Sequence, residues 1–297
     1  MQTNPAKTPL DRSQDAKALQ ELKLRAIAVR RFLLNLGFEK GIRLHYGAML
    51  SIVEILVLLY DRWLRLDPQK PEWEERDRFV LSKGHAAPAL YAALAFAGFF
   101  GIGEFASFRT LGSRLQGHPD RNKTPGVDCS TGSLGQGFPV ACGMALSSKI
   151  DQGNCRVYAC LSDGECNEGS IWEAALIASN LGLDRLIAIV DWNKKSSYGS
   201  MKNRNDVEPL LEKWEAFNWA TYECDGHDYL SLSAALSRAE STKGKPSVLL
   251  CHTVKGKGIP WAEGTDTRSN FQLEKKHYEE ALAALDGSEK EIRHESA

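Results

Sequence analysis

Two residues that close neighbouring apolar runs could do chemistry together. Asp163 follows Val157–Leu161 in Ser162-Asp163-Gly164, and Asn193 follows Leu186–Val190 in Asp191-Trp192-Asn193, 30 positions later. A carboxylate and an amide oxygen are hard ligands suited to Mg2+ or Ca2+, and magnesium completes its octahedron with water and the phosphates of a ligand. If the two runs are adjacent parallel strands, their carboxyl ends lie at the edge where open α/β sheets bind ligands. A helix starting behind Gly164 would turn free N–H groups and its positive dipole end to the same phosphates. Each residue also has a plainer account, since Asp-Gly is a common turn and Asn often caps a helix. Together they predict a metal-diphosphate site.

The elements needed to position that site are legible around it. Gly169–Leu181 reads as a helix between the two strands. Trp219–Cys224 and Ser247–Thr253 read as further strands flanking a helix at Leu230–Ala239. Arg76–Leu90 reads as a short strand running into a helix, Gln136–Ile150 and Val207–Phe217 as helices. From Ala18, apolar residues recur at helical spacing and stop at Gly37, a long amphipathic helix. The fold class expected is α/β, a doubly wound, mostly parallel sheet with helices on both faces. Residues 1–16 read as a flexible arm, 17–285 as one binding domain and 286–297 as a frayed tail.

Composition narrows the function. With 43% hydrophobic and 25% charged residues and a net charge of −1, the chain advertises no field for nucleic acid or membrane. Its longest apolar stretch, Ala86–Phe100, contains Pro88 and is shorter than the roughly 18 residues of a membrane span. The opening residues lack an apolar signal core, and the seven cysteines are scattered without a CxxC pair. Both features predict a reducing, cytoplasmic location. Cys166 could be read as a nucleophile, but no local signature sets a base beside it.

Asp163-Gly164-x-x-x-Glu168-Gly169 followed by Asn193 resembles the thiamine-diphosphate motif in the form transketolases carry. The similarity continues through Gly47–Ser51 and the helix after it, Ser82-Lys83-Gly84-His85-Ala86, Gly117-His118-Pro119, Thr131–Gly137 and Lys255-Gly256-Lys257-Gly258, in the family's order from about Leu22 to Leu285. The resemblance implies thiamine diphosphate and Mg2+ as cofactors, Ca2+ being an alternative metal. It implies that Asp163, Asn193 and the carbonyl of Lys195 hold the metal, and that Gly164, His85, Asn193 and Lys255 bind the diphosphate. Lys83 and His85 are expected to neutralise phosphate as charge-assisted donors. Gly132 and Leu134 inherit contact with the cofactor rings, and Glu168 a place linking paired sites. His45, His85 and His118 inherit contact with the reacting sugar.

Two segments depart from the family's pattern. Arg43-Leu44 and Tyr46 surround His45 where small residues and proline are usual. The histidine expected about fourteen residues after Lys255 is absent, and Ser269-Asn270 stand there with Arg268 before them; Asn270 or Arg268 could supply the missing donor. The glutamate that protonates the cofactor pyrimidine belongs, in this family, to a second domain beyond the 297 residues here. The resemblance therefore implies a partner chain carrying the pyrimidine-binding and C-terminal domains, in an α2β2 assembly. Together they would transfer a two-carbon ketol unit from a ketose phosphate to an aldose. Alternatives are a related two-carbon transfer to an unusual sugar or carrier-bound acceptor, and a non-catalytic cofactor-binding role.

Overall fold

The computed structural model describes residues 9–11 and 14–294. Five strands, all parallel, form its sheet: β1 (Arg78–Leu81), β2 (Val157–Ser162), β3 (Leu186–Trp192), β6 (Ala220–Asp225) and β7 (Ser247–His252), in the order β1-β2-β3-β7-β6. Between β3 and β6 lies a two-stranded hairpin, β4 (Lys195–Ser196) and β5 (Gly199–Ser200). The chain steps outward from β1 to β3, then crosses to the far edge and steps back, so the winding reverses beside β3. The carboxyl ends of β1, β2, β3 and β7 therefore share one edge.

Both faces of the sheet are covered because its strands are apolar on both sides. Phe79, Tyr158, Cys160, Ile187, Ile189 and Leu249 point into one core. That core is filled by helices α1 (Ala16–Glu39), α2 (Tyr46–Leu50), α3 (Val53–Leu58), α4 (Ala87–Phe96), α8 (Tyr229–Ser241) and α9 (Lys275–His294). The alternate residues Val80, Ala159, Leu161, Ala188, Val190 and Leu250 point into a second core. There they meet α5 (Gly137–Ile150), α6 (Gly169–Asn180) and α7 (Leu210–Ala216). Side chains alternate between faces along a strand, so continuous apolar runs are what a sheet buried on both sides requires. The expected fold class is the one observed.

Several boundaries move for physical reasons. Helix α1 passes through Gly37, because that glycine is needed for packing: a Cβ there would lie 1.8 Å from the Tyr46 hydroxyl. Helix α7 begins only after Pro209, which occupies its N-cap. Residues 286–294, expected to fray, continue α9, where Arg31 donates to Asp286 at 2.6 Å and to Glu289 at 3.0 Å, and Gln20 donates to the Ile292 carbonyl at 3.2 Å. Of the expected arm, residues 1–8 and 12–13 lie outside the described residues. Leu10 is not loose; it is buried and donates its N–H to Ser233 Oγ at 3.0 Å.

Candidate active site

Parallel pairing of β2 and β3 aligns Ser162 with Asp191, which brings Asp163 and Asn193 to adjacent strand ends. Asp163 is buried, and its carboxylate accepts the Gly164 N–H at 2.7 Å and the Lys194 N–H at 2.5 Å. Asn193 Oδ1 accepts the Lys195 N–H at 3.0 Å, while Asn193 Nδ2 donates to Asp191 at 3.2 Å. The loop 193–195 thus wraps the Asp163 carboxylate. Lys195 directs its side chain away, to Asp266 at 2.6 Å, leaving only its backbone here.

Charge at this edge is out of balance. Asp163, Glu165 and Asp191 are each nearly or fully buried, and against the three stands the Lys83 ammonium. Burial first, then Asp191, pushes the Asp163 carboxyl up to about 7. A divalent cation would supply the positive charge that this arrangement lacks. Among the described residues no group of three or more His, Cys, Asp or Glu is set to hold a metal. The donor set of one carboxylate, one amide oxygen and one backbone carbonyl instead suits a magnesium ion that shares its sphere with phosphates. The residues present fit the cofactor that the sequence motif implies.

The histidines and the glycine-rich loop singled out in the sequence lie close together. The rings of His45 and His85 lie 5.1 Å apart, and His118 is close enough to depress the proton affinity of both. Burial, Lys83, His45 and His118 push His85 down to about 3, so it offers a neutral N–H rather than the cation expected. His45 is lowered by burial, then Arg109 and His118, and its buried Nδ1 has no partner among the described residues. Gly132 lies against the His118 ring, 3.6 Å from where a Cβ would stand, and Leu134 is half-buried beside it. The glycine-rich loop crosses directly over Gly84, where a Cβ would meet the backbone of Thr131 and Gly132 at 2.8 Å.

Lys83 does not face phosphate. Its side chain is fully buried, and its ammonium donates to Asp191 and to the Ala48 carbonyl at 2.8 Å. Lys255 is also buried, donating to the carbonyls of Ser196 at 3.2 Å and Thr267 at 2.5 Å, so it ties together the loops beneath the site. The N–H groups behind Gly164 are not free either: a short 3-10 turn (Gly164–Asn167) intervenes, and its amides bond Asp163 and Ser162. Glu168 is exposed at the start of α6 and makes no side-chain cap. Cys166 is buried, and burial with Asp163 and Glu165 drives its thiol far above the reactive range.

Where the family histidine is missing, Asn270 Nδ2 lies 3.2 Å from His45 Nε2. Leu44 and Phe271 form an antiparallel bridge that sets 45 opposite 270, and Gly47 donates to the Ser269 carbonyl at 3.2 Å. Arg268 stacks on Tyr198 at 5.1 Å instead. Two further residues carry structure that no motif in the sequence announces. Glu165 accepts Ser82 Oγ at 2.6 Å and the Gly135 N–H at 2.9 Å, fastening β1, β2 and the glycine-rich loop. Asp191 gathers donors from several elements. Its signal was a carboxylate inside an otherwise apolar strand, which demands a partner. A groove of about 2030 Å3 between α1, the turn after α3 and the end of α4 contains none of these residues.

Comparison with known proteins identifies the family and the fold. The sequence profile of the transketolase thiamine-diphosphate-binding domain matches residues 23–285. The chain is 42% identical over 266 residues to the 6-deoxy-6-sulfo-D-fructose transketolase subunit SqwG of Clostridium sp. (strain MSTE9), covering 90% of this chain and 96% of that one. It is 42% identical over 244 residues to an apulose-4-phosphate transketolase subunit of Actinobacillus succinogenes, covering 82% and 88%. Its fold superposes on the transketolase of Campylobacter jejuni with a TM-score of 0.83 at 28% identity, over 92% of this chain and 45% of that one. The chain thus spans nearly all of the two subunit relatives and less than half of the solved transketolase.

Proposed function

This chain belongs to the transketolase family, and from that premise we propose that it is the diphosphate-binding subunit of a two-chain, thiamine-diphosphate-dependent transketolase. The reaction is transfer of a two-carbon ketol unit from a ketose donor to an aldose acceptor. The observation that carries this reading is the meeting of Asp163, Asn193 and three histidines at one sheet edge with an excess of buried carboxylate. The two subunit relatives are named for different ketoses, one sulfonated and one phosphorylated. An anionic ketose is therefore the donor class we assign.

Thiamine diphosphate, when bound, supplies the carbanion-stabilising centre of such a transfer. The residues of this chain bind and orient. Asp163, Asn193 and the Lys195 carbonyl would hold Mg2+ against the diphosphate, with the neutral N–H of His85 as a further donor, while the Gly164 N–H holds the Asp163 carboxylate. Gly132 and Leu134 would flank the cofactor rings. His45 and His118, with His85, would exchange protons with sugar hydroxyls, a role imidazole fills near neutral pH. Glu168 is free to meet another subunit. The pyrimidine-binding and C-terminal domains would come from a partner chain, in an α2β2 heterotetramer. Among the described residues no helix is long and apolar enough to cross a membrane, and the seven cysteines are unpaired, which supports a cytoplasmic enzyme.

Calorimetry with thiamine diphosphate and Mg2+, on this chain alone and with its partner subunit, tests the reading. Asp163→Ala should weaken binding at least a hundredfold. Unchanged binding would remove the metal assignment. A donor screen with sulfonated and phosphorylated ketoses then fixes the substrate. The altered Arg43–Tyr46 and Arg268–Asn270 segments favour a second reading, transfer to an unusual or carrier-bound acceptor; turnover with such an acceptor and none with sugar phosphates would select it.

A further inference from the structure

Asp191 is a fully buried carboxylate whose two oxygens are shared among four side chains, three of them from separate parts of the fold and the fourth Asn193. Oδ1 accepts the Thr253 hydroxyl from the end of β7. Oδ2 accepts the Lys83 ammonium from the end of β1, the Ser51 hydroxyl at 2.7 Å from the turn after α2, and the Asn193 amide N–H at 3.2 Å. The Lys83 side chain is equally buried, and its ammonium also donates to the Ala48 carbonyl. The pair meets the NH2 end of the Asn193 amide.

An asparagine amide has one face that donates and one that accepts, and only its oxygen can ligate a metal. A carboxylate accepts and cannot donate, so whichever end of the Asn193 amide meets Asp191 must be the NH2 group. The oxygen is then forced to the opposite end of the amide, where it accepts the Lys195 N–H at 3.0 Å in the loop whose Lys194 N–H binds Asp163. We propose that Asp191 is the positioning residue of the metal end of this site: it fixes the Asn193 amide oxygen toward the cation, while Lys83 makes its buried charge tolerable. This rests on Asn193 being a metal ligand, as proposed above. The Ser51 and Thr253 hydroxyls hold the carboxylate plane so that a lone pair stays aimed at Asn193. Such outer partners characteristically set ligand orientation, and their loss costs tenfold or more in metal affinity.

The contrast that isolates the acceptor keeps net charge constant. In Lys83→Met/Asp191→Asn both charges go but an amide oxygen remains to accept from Asn193; in Lys83→Met/Asp191→Leu no acceptor remains. Mn2+ is titrated by electron paramagnetic resonance on the full chain with thiamine diphosphate, alone and assembled with its partner subunit, with circular dichroism as the folding control. The Leu variant should bind Mn2+ at least tenfold more weakly than the native chain, and the Asn variant within about threefold of it. Equal loss in both variants, or no loss in either, overturns the role of Asp191 while leaving the site reading intact. Native and Asn193→Ala chains that bind Mn2+ equally overturn the site reading and this inference with it. A second measurement needs no double variant. The Asn193 NH2 resonances, identified in an asparagine-labelled native chain by their absence from Asn193→Asp, should exchange with solvent at least tenfold more slowly than a free amide. Exchange at the free rate overturns the proposal.

Discussion

Gly37 leaves the space into which the Tyr46 ring is pressed: a Cβ built on Gly37 would lie 1.8 Å from Tyr46 Oη and 2.9 Å from Cζ. The contact locks α1 against the loop that carries His45. It also leaves the Tyr46 hydroxyl buried without a hydrogen-bond partner among the described residues. An unpartnered hydroxyl in the core contributes desolvation cost and no bond. Tyr46→Phe should therefore be neutral or stabilising by about 1 kcal/mol in chemical denaturation. Gly37→Ala should destabilise by about 3 kcal/mol or more, as overpacking against a fixed ring does, and Tyr46→Phe should recover part of that loss.

Arg30 and Glu54 form a buried bidentate pair at 2.6 and 2.8 Å, and His227 Nδ1 lies 2.9 Å from the same carboxylate. Arg30 also donates to the Lys257 carbonyl at 3.0 Å, so the pair supports the loop that carries Lys255. Burial alone would raise the Glu54 carboxyl, but Arg30 and His227 override it and hold the group at about 2. A carboxyl depressed in the folded state stabilises the fold fully above its ordinary range near 4.5 and loses that contribution as pH falls through about 2. Unfolding free energy measured from pH 6 to 2 should therefore drop by roughly 3 kcal/mol more in the native chain than in Glu54→Gln. Near neutral pH, Glu54→Ala should cost about 3 to 5 kcal/mol, because Arg30 is left buried and unpaired.

Glu165 is the acceptor that fastens the glycine-rich loop to the strand ends. Its removal strands the Gly135 N–H and the Ser82 hydroxyl away from water. Glu165→Ala should lose about 2 to 3 kcal/mol of stability and weaken thiamine-diphosphate binding about tenfold by calorimetry, since Gly132 and Leu134 lose their anchor. Glu165→Gln, which keeps one acceptor oxygen, should retain most of both.

Asn270 touches His45 across the Leu44–Phe271 bridge and is itself exposed. Substituting it should leave the melting temperature nearly unchanged, as surface changes do within about 0.5 kcal/mol. In the assembled enzyme, Asn270→Ala should lower kcat/KM for the ketose donor about tenfold by freeing the His45 ring. Steady-state kinetics on the assembled pair measure this, and an unchanged kcat/KM would take Asn270 out of the site.

What the sequence by itself determined was local. Strand, helix and strand around Asp163 and Asn193 were legible because side-chain periodicity and turn residues are properties of short segments. The order of motifs carried the three histidines, the glycine-rich loop and the α/β class. Only the tertiary structure decided where charge is neutralised. Lys83 reads in the sequence as a cation beside a phosphate-binding histidine, but its partner is Asp191, 108 residues away and on a different strand. Lys255 changed meaning in the same way, becoming a tie between loops, and Glu165, which no motif singles out, is an anchor only through its long-range partners. Helix α1 runs through Gly37 because Tyr46 packs there, and α9 continues past Leu285 because Arg31 and Gln20 receive it. A residue's type limits what it can bond, but burial and partner are set by which elements pack together, and those contacts are long-range.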